Sequence, residues 1–247
     1  MKIAILGSGG REHAIVHSIS KSKKIKKIYC LPGNAGTSDL AKNVSIDINK
    51  FQQVYEFIKQ ERINLVIVGP EQPLVDGIVD FLEERYIKVF GPNKIASQLE
   101  GSKIFTKKIC KEFEIPTAKF GIFSDTKTAL SFLKNCNFPI VIKADGLAAG
   151  KGVYISENYN EASKAVDEIF NGKFGNAENL LIEEFLNGEE MSFFIISDGK
   201  SYKMFGTAQD HKRVFEGDKG KNTGGMGAYS PSRLENNNLN NKIINKI

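Results

Sequence analysis

Cysteine is scarce in this chain. Cys30, Cys110 and Cys136 are the only three in 247 residues, and their wide spacing excludes a disulfide framework and a cysteine zinc site. No apolar run approaches the length of a membrane span. The opening MKIAILGSGG runs straight into a strand pattern and carries no signal-peptide pattern. These absences lead us to expect a reducing cytoplasm and no membrane partner. There is no internal repeat. The lysine cluster SKSKKIKK at 20–27 supplies much of the net charge of +5. It has no interleaved aromatic residues, so it reads as a solvated helix end, where lysines also suit the helix dipole, and no nucleic-acid partner is expected. A mildly basic surface also suits small anionic substrates.

With 41% apolar and 26% charged residues, the chain has an ordinary globular composition and room for one large or two small domains. The first hundred residues alternate short apolar runs (IAIL, KIYCL, NLVIVG, IKVFG) with helical patterns around 11–20, 50–61 and 74–85. Such alternation predicts a parallel sheet with helices on both faces. Ligands on these sheets bind beyond the carboxyl ends of the strands, where GSGGREH, PGNAGT and GPEQPLV fall. From about residue 102 the pattern changes to α+β. A helix over SKIFTKKICKEFEI is followed by a strand, a helix, PIVIKA, VYIS, a helix at 160–170, and three β-rich runs, LLIEEFL, EMSFFIIS and SYKMFGTA. Residues 209–230 read as one long loop dense in glycine and charge. In the tail, Leu239, Ile243 and Ile247 share a helical face.

Two familiar phosphate motifs are excluded. KADGLAAGKG has three residues between Gly146 and Gly150 where a P-loop has four before its Gly-Lys pair, and Gly152 follows Lys151 in place of Ser or Thr. It also joins two strands, whereas a P-loop leads into a helix. Any anion there must be held by lysines and by exposed backbone N–H groups. GSGGREH fails the dinucleotide fingerprint because Glu12 stands at the third glycine position and Cys30-Leu31-Pro32 ends the second strand without an acid. Gly9-Gly10 nevertheless opens a helix whose first turn carries Arg11, a suitable place for an anionic group. His13 and His17 are four apart, and without further ligands they read as structural.

GSGGREH, PGNAGT, VGPEQPLVDG, GPNKIASQLEGSK, PTAKF, PIVIKADGLAAGKGV, EEFLNGEEMSF, QDHKR and NTGGMGAYSP occur in that order. Together, from residue 1 to about 233, they resemble the phosphoribosylamine–glycine ligases of the ATP-grasp superfamily. The resemblance implies an N-terminal parallel-sheet, Rossmann-like domain over 1–101. An α+β ATP-grasp domain over 102–247 would follow, incomplete at its C-terminus. The implied reaction joins glycine to 5-phosphoribosylamine with ATP and Mg²⁺ (or Mn²⁺), by way of a glycyl phosphate. Lys103 and Lys143 would reach the α- and β-phosphates, and Gly150, Lys151 and Gly152 would cover them as a mobile flap. Glu183 would take the adenine amino group, backbone groups near Phe185 and Leu186 the ring edge, and Glu190 the ribose hydroxyls. Gly9, Gly10, Arg11, Asn34, Gly36, Thr37 and Glu71 would hold phosphoribosylamine. Asp210, His211, Lys212 and Arg213 would open a loop closing on the substrates, with Arg213 clamping the acyl phosphate and Gly224, Gly225 and Gly227 supplying backbone N–H groups. The family's metal-binding Glu and Asn lie in a segment beyond residue 247. Two alternatives stay open: another ATP-grasp enzyme, such as a biotin-carboxylase-like protein, and a nucleotide-binding module without catalysis.

Overall fold

The structure, a computed structural model, describes residues 1–147, 152–175, 177–217 and 219–247. The chain divides into two compact units, Met1–Thr106 and Lys107–Ile247.

In the first unit the apolar runs form five parallel strands: β1 (Lys2–Gly7), β2 (Lys27–Pro32), β3 (Lys42–Asn43), β4 (Leu65–Val68) and β5 (Val89–Phe90), in the order β3-β2-β1-β4-β5. β1 is buried along almost its whole length. A central strand covered on both faces needs such an unbroken apolar run. Its side chains alternate between two cores. Ala4 and Leu6 pack with Tyr29, Val66 and the helices α2 (Phe51–Glu61) and α4 (Ile78–Glu83), and Ile3 and Ile5 pack with Ile28, Cys30 and Val16 of α1 (Gly10–Ser20). The single helix expected over 74–85 is two. α3 (Glu71–Asp76) ends at Gly77, whose φ of 97° breaks the helix before α4 begins. A side chain is strained in that conformation, and apolar periodicity does not register it. α5 (Lys94–Gly101) is capped by the Asn93 side chain, which accepts from the Ala96 N–H at 2.8 Å.

α6 (Lys103–Glu112) leads into the second unit. Its four-stranded antiparallel sheet runs β6-β9-β7-β8, with β6 (Phe120–Phe123), β7 (Ile140–Ala144), β8 (Val153–Ser156) and β9 (Leu180–Glu184). Ile140, Ile142, Ala144, Leu180 and Ile182 point to one face, under α7 (Thr126–Leu133) and α8 (Tyr159–Phe170). The alternation that sends these apolar residues inward sends Val141, Lys143, Leu181 and Glu183 to the other face.

A second antiparallel group contains β10 (Ser192–Ser197), β11 (Tyr202–Asp210) and, further along the chain, β14 (Ala228–Tyr229). Residues 209–230, expected as one long loop, are partly strand. β11 extends to Asp210, β12 (Arg213–Phe215) pairs with β13 (Lys219–Asn222), and β14 returns to β11. The sequence conceals this because these strands are very short and set among glycines and charges. The tail forms α9 (Asn237–Lys246), capped by Asn236. Among the described residues no helix is long and apolar enough to cross a membrane.

Candidate functional site

In the first unit, the chain leaves β1 toward β2 and leaves β4 toward β5, on opposite sides. The crevice between the ends of β1 and β4 is thus a topological switch point, where open sheets of this kind take ligands. A cleft of about 390 Å³ lies there, lined among others by Gly9, Gly10, Arg11, Glu12, Pro70 and Glu71. Gly9 is the N-cap of α1, and its N–H donates to the Glu12 carboxylate at 2.5 Å. Glu12 is 4% exposed and lies so close to Gly69 that a Cβ there would fall 1.9 Å from it. The acid that spoils the dinucleotide fingerprint therefore fills the space between two loops. Arg11 donates to the Gly69 carbonyl at 2.6 Å and to Glu71 at 2.8 Å. The hydrogen bond with Glu71 holds the guanidinium pKa above its ordinary value and the Glu71 carboxyl below the usual carboxylate range.

Asn34 ties a third loop to this rim. Its amide donates to the Ser8 and Gly9 carbonyls at 2.8 and 3.2 Å, and its oxygen accepts from the Thr37 N–H at 3.0 Å. Thr37 is fully buried and its hydroxyl donates to Asn43 at 2.7 Å. Gly36 is pressed on His13, where a Cβ would lie 2.6 Å from the ring. The seven residues expected to hold phosphoribosylamine are thus brought to one end of one sheet. Asn34→Ala is expected to lower stability by about 1–3 kcal/mol, since it leaves the part-buried Thr37 N–H without its partner and removes two exposed bonds to Ser8 and Gly9. Urea unfolding of both proteins measures this, and matching midpoints would show the rim is not held by Asn34.

In the second unit, Val141 of β7 lies opposite Glu183 of β9, so Lys143 is a diagonal same-face neighbour of Glu183. The Lys143 ammonium is 2.5 Å from one Glu183 oxygen, and Lys107 of α6 is 2.7 Å from the other. The latter contact is an ion pair without hydrogen-bond alignment. Glu183 is 4% exposed, so the carboxylate that the resemblance assigns to an adenine amino group is here held between two ammonium groups. Phe185 and Leu186 follow the end of β9 and are exposed. Gly152 accepts from the Ala144 N–H at 2.9 Å and extends the β7–β8 ladder, whereas Gly150 and Lys151 lie outside the described residues. Lys103 opens α6 on the first unit's side of the division. Sequence reasoning missed Lys107. Its signal was a lysine one helical turn from buried Ile104, on the inward stripe of α6.

The remaining candidates cluster around the end of β11. Lys212 pairs with Glu190 and lies 3.8 Å from Asp210. The Glu190 hydrogen bond raises the Lys212 pKa. His211 exchanges backbone hydrogen bonds with Gly227 and Met226, and its ring stacks on Tyr229 at 6.0 Å. Arg213 donates to the Gly220 carbonyl at 2.6 Å, so in this state its guanidinium holds a hairpin. Gly225 and Gly227 have φ of 122° and 154°, a region that favours glycine, whereas Gly224 does not share it. Beneath them, buried Thr207, Gln209 and Ser232 form a polar cluster that includes a 2.9 Å bond from the Ser232 hydroxyl to Gln209. Among the described residues, no three of His, Cys, Asp or Glu converge into a metal site.

Residues 1–100 match the family model for the phosphoribosylglycinamide synthetase N domain, and 101–247 match that for the phosphoribosylglycinamide synthetase ATP-grasp (A) domain. The chain is 52% identical over 233 residues to the phosphoribosylamine–glycine ligase of Mesorhizobium japonicum, covering 94% of this chain and 55% of that one. The crystal structure of phosphoribosylamine–glycine ligase from Thermotoga maritima superposes with a TM-score of 0.80 at 33% identity, over 95% of this chain and 56% of the other. The biotin carboxylase domain of Hydrogenobacter thermophilus 2-oxoglutarate carboxylase, solved with MgADP and bicarbonate, gives a TM-score of 0.76 at 18% identity, over 98% and 55%. That last likeness is one of fold alone. This chain spans about half the length of the curated relatives it matches.

Proposed function

The chain belongs to the phosphoribosylglycinamide synthetase family, and from that premise we propose that it carries the nucleotide and phosphoribosylamine sites of an ATP-dependent phosphoribosylamine–glycine ligase. The enzyme would act in the cytoplasm on small-molecule substrates. The observation that carries the reading is the Lys143 ammonium, fixed beside Glu183 at the entrance to the glycine-rich β7–β8 connection.

The residues fit the phosphate groups of ATP. Lys143 offers a partly exposed cation on a sheet face, and Phe185 and Leu186 offer exposed apolar surface to a base. Glu190, now paired with Lys212, would accept from ribose hydroxyls once Lys212 turns toward anionic substrate. In the first unit, the N-terminus of α1 with Gly9 and Gly10 receives the 5-phosphate, and Glu71 orients the amine. Bound divalent magnesium or manganese would neutralise phosphate charge, but no side chain of this chain is assigned to it.

The chemistry is two successive displacements, the first at phosphorus and the second at the carboxyl carbon. A glycine carboxylate oxygen attacks the terminal phosphorus and ADP leaves. The amine nitrogen of phosphoribosylamine then attacks the acyl carbon, the carbon–oxygen bond to phosphate breaks, and the nitrogen loses a proton. Positioning and charge complementarity are the protein's share of this work. Arg213, released from Gly220, is suited to the acyl phosphate, with Asp210, His211 and the backbone at 224–227 around it. The test is ADP release that requires glycine and phosphoribosylamine together, measured on this chain joined to the remaining C-terminal part of a relative. Release stimulated by bicarbonate and indifferent to glycine would overturn the assignment in favour of a carboxylating reaction.

A further inference from the structure

We infer that Lys107 is a positioning residue for nucleotide binding, which balances the buried charge of Glu183 so that Lys143 keeps a net positive charge for phosphate. The inference rests on the reading of the Lys143 face as the nucleotide site.

The three charges are unequally placed. The Glu183 side chain is 4% exposed, that of Lys107 11% and that of Lys143 28%. Lys107 is fully engaged inward. Its ammonium meets Glu183 at 2.7 Å, the Thr117 hydroxyl at 2.5 Å and the Ala118 carbonyl at 3.3 Å, and it lies 5.3 Å from the centre of the Phe120 ring. Two of the three N–H donors of an ammonium go to Thr117 and Ala118, its charge faces Glu183, and a side chain only 11% exposed offers a ligand little surface. Lys143 shares the same carboxylate but keeps an open side. One carboxylate between two ammonium groups sums to one positive charge, and the only member able to present it outward is Lys143.

Without Lys107, Glu183 and Lys143 would form a neutral pair. An isolated carboxylate is costly to bury, and its pull on Lys143 would compete with any incoming phosphate. Lys107 therefore acts on the ligand through Glu183 without touching it.

Charge arithmetic sets the test. The wild-type triad sums to +1, Lys107→Met to 0, Glu183→Gln to +2, and the double variant again to +1. The probe is inorganic tripolyphosphate, which has no base and so bypasses any role of Glu183 toward adenine. ADP is titrated in parallel by calorimetry on the full chain, with folding checked by circular dichroism. Lys107→Met is expected to bind tripolyphosphate about tenfold more weakly than wild type, the effect of one lost charge-assisted contact. The double variant should return to within about threefold of wild type, and Glu183→Gln should bind at least as tightly as wild type.

A purely structural role for Lys107 would not be rescued by a second substitution that removes another polar contact. Wild-type affinity in Lys107→Met, or a double variant as weak as the single one, overturns the inference and leaves the nucleotide site standing. If the single variant does not fold, the double variant and Glu183→Gln decide on the same criteria. Failure of the wild-type chain to bind either probe overturns the nucleotide reading itself, and the inference with it.

Discussion

Lys143→Ala is expected to weaken ATP binding by at least about tenfold, because a charge-assisted contact to phosphate contributes about 1.5–3 kcal/mol. The expectation comes from the position of Lys143 on β7, two residues from Val141, which faces Glu183 across the strand pair. The substitution leaves the Lys107–Glu183 ion pair intact, so the buried carboxylate keeps a partner and the fold should survive. Calorimetry on both proteins, each confirmed folded, decides the matter. Equal affinities would mean that the glycine-rich connection is a plain hairpin loop.

The second large effect concerns the β10–β11 hairpin. Phe194, Ile195, Ile196, Tyr202, Met204 and Phe205 are all exposed, Phe205 at 75%. Large apolar side chains left exposed on both faces of one hairpin mark a contact site or an aggregation hazard. We expect the purified chain to bind an apolar dye strongly and to self-associate at micromolar concentration. Supplying the C-terminal part of a relative as a separate chain should suppress both and raise glycine-dependent ADP formation. Light scattering and dye fluorescence with and without that addition make the comparison. A monodisperse monomer that binds no dye would show that the hairpin is covered in solution by this chain itself.

The first unit was largely legible because its strands are unbroken apolar runs separated by helical repeats, and local patterns suffice to place them. The loops over the sheet's carboxyl edge follow from that order alone. Gly77 was not read as a break, because apolar periodicity continues through it while its backbone does not. In the second unit, alternation in PIVIKA and LLIEE already puts Lys143 and Glu183 opposite their own apolar neighbours. The diagonal contact itself depends on the β7–β9 register, a pairing between distant segments that no local pattern encodes. Lys107 was hidden for the same reason. A lysine on a helix is usually solvated, and only the carboxylate brought by β9 makes an inward ammonium tolerable. β12 and β13 were obscured by brevity, since a strand of three or four residues among glycines offers too few positions for alternation to stand out.

The rim of the first unit has a thermodynamic consequence. Arg11 joins the loop after β1 to that after β4, and Asn34 joins the loop after β2 to Ser8 and Gly9. These loops are fastened to one another across the cleft, so a molecule seated among them grips three crossings of the sheet at once. Such a molecule binds the native chain and not the unfolded one, and it stabilises by mass action, by about 2.7 kcal/mol at a hundred times its dissociation constant. The melting temperature of this unit is therefore itself a gauge of occupancy. A phosphorylated pentose that never turns over should announce itself by raising that temperature with concentration, and the same titration on Asn34→Ala or Arg11→Ala would rank how much each crossing contributes to the grip.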